Sequence, residues 1–220
     1  MPAQRSNPAL DKAYANTSGP VAYLDETFQA PGTKDPAFYV FTAVLVEREE
    51  MQDLRDKLRE LAGGTFWHTT DELLTGEGWK KALAMLEYLG QGPELCVLAH
   101  ECEVDDADTD VEKARRACLR GLLAALSEGG PSWGRTDLVV FEERNPRNRA
   151  NFDRKHVTEL RREEKIHRGM QIQMVSPKHE HLLWLPDVVS SAFRKSLTRR
   201  GEERLLEPVH ARMHFVAPLP

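Results

Sequence analysis

The sequence is poor in cysteine, with three residues (Cys96, Cys102 and Cys118) in 220. So few, and an odd number, do not make a disulfide framework, and a reducing compartment is expected. Long apolar runs are also lacking. None approaches the ~18 residues that a membrane span needs. Met1-Pro2-Ala3-Gln4-Arg5 has no apolar run behind it that would read as a signal peptide. These absences predict a cytoplasmic protein with no membrane partner. The 14 glycines and 13 prolines follow no period and no internal repeat is found, which excludes a collagen-like or coiled-coil rod. Zinc-finger spacing, an aromatic RNA-binding signature and a Walker-type phosphate loop are all missing, so ATP hydrolysis is disfavoured.

What is present suits a folded chain. Hydrophobic residues make up 40% and charged residues 30%, enough apolar surface to offset chain entropy and rule out wholesale disorder. The net charge of −5 hides an uneven distribution. Between Glu101 and Glu112 lie seven acidic side chains and no basic one. This run reads as a surface loop leading into a helix, since it lacks the turn glycine of a calcium loop. From Arg144 to Arg168, nine Lys/Arg stand against four Asp/Glu, and from Arg194 to Arg212, six against three. Such basic segments are either solvated helix faces or the footprint of a polyanion.

Residues 1–19 lack apolar periodicity and read as a flexible N-terminal arm. A single domain over residues 20–200 and a C-terminal extension over 201–220 complete the expected organisation. Val21-Ala22-Tyr23-Leu24 is a buried strand ending in Asp25-Glu26, and Phe38 to Val46 is a β-branched, aromatic strand. Met51, Leu54, Leu58 and Leu61 share a helical stripe stopped by Gly63-Gly64. A second helix carries Leu83, Leu86 and Leu89. A strand over Glu94–His100 and a helix over Val111–Leu126 follow. Asp137 to Phe141 is a strand closed by Glu142-Glu143-Arg144. A helix over Asn151–Ile166, a strand over Met170–Val175 and a final helix with Pro186 in its first turn complete the pattern. Strands interleaved with helices after an opening hairpin describe a mixed α/β sheet covered by helices.

Three acidic positions close or open buried elements: Asp25-Glu26, Glu142-Glu143 and Asp187. Carboxylates leaving one edge of a sheet converge if their strands are neighbours. Crowded like charges raise one another's pKa, and a divalent cation removes that penalty. Mg²⁺ prefers oxygen ligands, and two such ions can serve phosphodiester hydrolysis. The competing reading makes each acid a turn former or a helix cap.

The order of these motifs is informative. An apolar strand ending in Asp-Glu, an aromatic-rich second strand, Trp67-His68-Thr69 after the first helix, Phe141-Glu142-Glu143-Arg144, and Leu183-Trp184-Leu185-Pro186-Asp187 opening an amphipathic helix resemble the domain-of-unknown-function family 3800. That family is similar to ribonuclease H-like proteins. The resemblance runs from about Val21 to Leu197. It implies a ribonuclease H-like fold, with a mixed five-stranded sheet and helices on both faces. It also implies metal-dependent cleavage of nucleic acid, with Mg²⁺ or Mn²⁺ held by Asp25, Glu142 and Asp187. Glu26 would assist as an auxiliary acid and His68 as a proton carrier. The chain departs from the family pattern in Thr27-Phe28 after the first acids, in Glu142 where Asp is usual, and in Trp184 and Pro186 before the last acid.

Arg144, Arg147 and Arg149 follow the acid-bearing strand, where their guanidinium forks would grip DNA or RNA phosphates or pair with helix acids. His179-Glu180-His181 and His100-Glu101-Cys102 lack the further ligands of a zinc site; the first reads as a polar loop before the last helix and the second as a strand end and turn. Two alternatives to a nuclease remain: a non-catalytic nucleic-acid-binding or interaction module on the same fold, and an enzyme using the same crevice on another substrate.

Overall fold

A computed structural model of the chain describes residues 7–101, 104–143, 147–198 and 203–220, with side chains for all of these except residues 147–151. Strands β1 (Val21–Gln29) and β2 (Phe38–Val46) form the expected antiparallel hairpin, with Val21 opposite Val46 and Gln29 opposite Phe38. All nine residues of β2 are buried, as suits a central strand covered on both faces. Strand β3 (Leu95–Glu101) runs antiparallel to β2. On the other side of β1 lies β4 (Leu138–Glu142), parallel to it, and then β5 (Gln171–Val175), parallel to β4.

A sixth strand, β6 (Met213–Val216), extends the expected five. It pairs in parallel with β3 and completes the order β5-β4-β1-β2-β3-β6. Four residues are too few for a period of two to show in sequence, and edge pairing with β3 rather than local propensity makes this segment a strand.

Helices α1 (Pro8–Ala15), α2 (Met51–Ala62), α4 (Gly76–Gln91) and α7 (Trp184–Thr198) cover one face of the sheet, together with the short α3 (Thr69–Glu72). They pack on Val21, Tyr23, Val40 and Val44. Helices α5 (Glu112–Glu128) and α6 (Arg147–Arg162) cover the other face, on Ala22, Leu24, Phe41 and Ala43. Alternate residues of β1 and β2 thus serve two separate cores, as the pleat requires. Helix α2 buries Met51, Leu54 and Leu58 of the predicted stripe and ends at Gly63. There φ is +76°, a conformation glycine adopts without a Cβ penalty.

Residues 7–15 and 203–220 are also drawn into this frame. Asn7 caps α1 by accepting from the amides of Ala9 and Leu10, Pro8 opens the helix, and Leu10 and Ala13 are buried. The helix spans eight residues, too few for apolar periodicity to reveal it, and it is stabilised by docking. At the other end Leu205, Leu206 and Val209 are buried, and the Leu219 amide donates to the Ala117 carbonyl at 2.9 Å. Gly121 on α5 allows that approach, since a Cβ there would stand 2.2 Å from the Ala217 carbonyl oxygen. Among the described residues no helix is long and apolar enough to cross a membrane.

Candidate functional site

The register of β1 on β4 decides where the acids go. Leu24 pairs with Phe141, so the next residue on each strand is Asp25 and Glu142. Tyr23 and Val140 project into the core beneath α1, α2, α4 and α7, while Leu24 and Phe141 project to the opposite face. Alternation therefore sends Asp25 and Glu142 to the first of these faces, side by side on strands about 4.8 Å apart. Helix α7 packs on that same face through Val188, Val189 and Ala192, which brings Asp187 of its first turn over the strand ends.

The electrostatics reflect the same proximity. The Asp25 carboxyl is held well above the ordinary carboxylate range, first by burial, then by the charges of Asp187, Glu26 and Glu142; a hydrogen bond from the Glu26 backbone opposes this. Asp187 is also raised by burial, with hydrogen bonds from Thr69 and the charge of His68 acting the other way. Glu142 reaches solvent at the strand end, yet it is shielded enough by surrounding protein that its carboxyl is raised, with Asp187 and Glu26 adding to the effect. Like charges at such spacing disfavour simultaneous ionisation.

Three further groups shape the site. Thr69 Oγ1 donates to Asp187 Oδ2 at 2.8 Å, while accepting from Trp67 Nε1 at 2.7 Å. Thr42 stands directly across from Asp25 on β2, fully buried, and among the described residues its hydroxyl has no hydrogen-bond partner. His68 pairs with Asp71 at 2.8 Å and, with Glu142, Asp187, Trp67 and Trp184, lines a cavity of about 210 Å³. Neither Thr42 nor Thr69 was singled out from the sequence. A signal for Thr42 existed, since it is the one hydroxyl-bearing non-aromatic residue in the nine-residue run of β2. Thr69 was visible only as the neighbour of His68.

Glu26 takes the opposite direction. As the next residue after Asp25 it faces α5, where Arg115 donates to it through Nε at 3.1 Å and Nη2 at 2.9 Å. Arg115 also binds Asp153 of α6 and lies over the Phe41 ring, and both Arg115 and Asp153 are buried. Glu26 thus contributes its field to the cluster while its oxygens are occupied elsewhere. Arg144 lies outside the described residues. Arg147 and Arg149 fall in the first turn of α6, and their side chains are not among those described.

His179-Glu180-His181 is absorbed by packing. Glu180 is buried and accepts from Arg55 at 3.0 and 2.6 Å and from Tyr14 at 2.5 Å, and His181 packs against Trp184. Among the described residues Cys96 and Cys118 are buried and form no disulfide, and Cys102 lies outside the described residues.

The donor set of Asp25, Glu142 and Asp187 is all carboxylate oxygen, the chemistry that Mg²⁺ and Mn²⁺ prefer. The unpaired Thr42 hydroxyl beside Asp25 suits an ion that retains water. Among the described residues, no group of three His, Cys, Asp or Glu side chains is already gathered around one point. The donors fit a hard divalent ion in kind.

No protein-family model matches the sequence, and no curated protein does. Among solved structures, the crystal structure of Bst-RNase HIII in complex with Mn²⁺ is similar over 93% of this chain and 70% of that one, at 16% identity and a TM-score of 0.42. So distant a likeness assigns no residue a role. The fold class rests on the sheet itself: a mixed α/β sheet with helices on both faces, as expected from the sequence.

Proposed function

We propose that this protein is a metal-dependent nuclease of the ribonuclease H-like type, hydrolysing phosphodiesters of DNA or RNA with Mg²⁺ or Mn²⁺. The kinship with the domain-of-unknown-function family 3800 belongs to this reading and rests on the order of the motifs. The observation that supports it most is the placing of Asp25, Glu142 and Asp187, 162 positions apart at the extremes, on one face of the sheet, each with its carboxyl raised first by burial and the first two also by the Asp187 charge. A protein gains no stability from crowding unpaired acids. The arrangement makes sense as a receptor for positive charge.

Asp25, Glu142 and Asp187 would hold the metal, with Thr69 fixing one oxygen of Asp187. Bound divalent ions would supply an activated water and charge stabilisation at the departing oxygen. His68, at the wall of the same cavity and oriented by Asp71, would carry a proton to or from the reacting phosphate. Glu26 would act from behind, through its field and through the hydrogen bond that its backbone amide donates to the Asp25 carboxyl.

The test is cleavage of labelled single-stranded, duplex and hybrid oligonucleotides with Mg²⁺ or Mn²⁺. Asp25→Asn and Asp187→Asn should each abolish cleavage while the far-UV circular dichroism spectrum is kept. Undiminished cleavage by the double variant would refute the assignment. One observation favours the second reading, a non-catalytic nucleic-acid-binding module: Asp187 Oδ2 is already engaged by Thr69. In that case oligonucleotides would bind, but neither Mg²⁺ nor Mn²⁺ would bind at millimolar concentration.

A further inference from the structure

Thr42 is the one group at the carboxylate site that packing leaves unexplained. It stands on β2 opposite Asp25 of β1 and is 0% exposed. Val40 and Val44 of the same strand belong to the core beneath α1, α2, α4 and α7, so alternation directs the Thr42 side chain to the face that carries Asp25. Residues directly opposite on antiparallel strands hold their Cβ atoms about 4.5–5.5 Å apart, within reach of a hydrogen bond from a hydroxyl to a carboxylate.

The other residues beside Thr42 on this face are Leu98, opposite it on β3, and Val40 and Val44. None of these three side chains can accept a hydrogen bond, and among the described residues the Thr42 hydroxyl has no partner. Asp25 is in the matching position. It accepts from the Glu26 backbone amide, yet among the described residues no side chain donates to it. Asp187, by contrast, is held by Thr69 Oγ1 at 2.8 Å. A β-branched residue suits a central strand, but valine meets that need equally, as Val40, Val44 and Val46 show. A buried hydroxyl without a partner costs more than the methyl group of the same shape. Shape and strand propensity account for the branch in Thr42 and not for its oxygen.

We propose that Thr42 is a positioning residue of the candidate metal site: its hydroxyl donates to Asp25 when that carboxylate binds a divalent ion. The inference rests on the nuclease reading and adds to it a residue from the neighbouring strand. In the metal-free protein the hydroxyl is an unpaired polar group. With the ion bound it fixes the carboxylate it faces, as outer hydrogen bonds do for metal-ligating side chains in general. Loss of the hydroxyl therefore acts in opposite directions on the two states, favouring the free protein and disfavouring the loaded one.

Two measurements on the full chain test this: melting by differential scanning fluorimetry in EDTA, and titration with Mn²⁺ by calorimetry. Thr42→Val keeps the shape of the side chain and removes the hydroxyl. It should raise the Tm of the metal-free protein by about 2–4 °C and weaken Mn²⁺ binding at least about tenfold. Thr42→Ser, which keeps the hydroxyl, should bind Mn²⁺ close to wild type. Thr136 supplies the control. It too is 0% exposed, with a hydroxyl unpaired among the described residues, but it precedes β4 at the end away from Glu142. Thr136→Val should leave Mn²⁺ affinity unchanged. Wild-type affinity in Thr42→Val, or an equal loss in Thr136→Val, would overturn the role of Thr42 and leave the nuclease reading standing. So would a lower Tm for Thr42→Val in EDTA, the mark of a hydroxyl already bonded in the free protein. If wild type itself binds no Mn²⁺ at millimolar concentration, both fall together.

Discussion

Thr69 Oγ1 donates to Asp187 Oδ2 at 2.8 Å and joins residues 118 positions apart. The same hydroxyl accepts from Trp67 Nε1 at 2.7 Å, so a buried relay runs from an indole to an acid. This bond holds the Asp187 carboxyl down while burial pushes it up. Thr69→Val should leave the Trp67 N–H unpaired and cost about 1–3 kcal/mol in urea unfolding. It should also move the pH at which Mn²⁺ binds upward, because Asp187 would give up its proton less readily. Thr69→Ser should restore both. A valine variant with an unchanged pH dependence of metal binding would separate Thr69 from the site.

The shift at Asp25 makes stability depend on pH in a defined direction. In the unfolded chain an aspartate titrates near pH 3.9. In the folded protein Asp25 keeps its proton to much higher pH, so between these two values the native state binds more protons than the unfolded one. Stability from this group is complete below about pH 3.9 and is lost as pH rises through the folded-state pKa. Asp25→Asn should accordingly raise the Tm of metal-free protein at neutral pH, with each 1 kcal/mol worth about 2–4 °C at this chain length. Divalent metal should reverse the order. Mg²⁺ or Mn²⁺ at about 100 times its Kd should stabilise wild type by about 2.7 kcal/mol and the asparagine variant by far less. Differential scanning fluorimetry with and without EDTA reads both effects. A lower Tm for metal-free Asp25→Asn would contradict the crowding of acids at this edge.

On the opposite face, Arg115 is bound by both Glu26 and Asp153. Arg115 and Asp153 are 2% and 0% exposed, so removing the arginine takes a charged partner from a buried carboxylate. Arg115→Met should cost about 3–5 kcal/mol. Arg115→Met/Asp153→Leu should recover much of this, because the orphaned charge is gone as well. Urea denaturation of the single and double variants gives the comparison, and equal losses in the two would argue against a buried ion pair here.

The N-terminal helix is tied in through polar atoms as well as apolar ones. Tyr14 donates to Glu180 at 2.5 Å and its hydroxyl is 2.9 Å from that of Tyr23, beside the Arg55–Glu180 pair. Burial and the Glu180 charge hold the Tyr14 phenol far above its usual range, so it remains a donor at all working pH. Tyr14→Phe should cost about 1.5–3 kcal/mol, the range for a hydrogen bond to a charged group. Hydrogen exchange should then show residues 8–15 opening ahead of the sheet. Protection equal to wild type in that helix would mean that its apolar packing suffices.

Much of the fold was legible because the main elements carry strong local signals. The nine apolar and aromatic residues of β2, the Met51-Leu54-Leu58 stripe of α2 and the glycine stop at Gly63 each declare themselves within a few positions. Helix α1 and strand β6 did not, because eight and four residues are too short for a period to register, and docking and edge pairing stabilise them. The acids that follow the apolar runs of β1 and β4 were visible for the same local reason, as charges that interrupt such a run, although β1 continues past Asp25-Glu26 to Gln29.

The sequence by itself determined that acids would follow the apolar runs of β1 and β4 and stand in the first turn of α7, since covalent order places each beside its apolar neighbours; pairing with β2 carries β1 past the expected end at Asp25-Glu26 as far as Gln29. Only tertiary structure decided which of them share a site. The parallel register of Leu24 with Phe141 and the alternation of the pleat put Asp25 beside Glu142 and turned Glu26 toward Arg115. A shift of one residue in that register would exchange the two faces, and nothing in the local sequence encodes it.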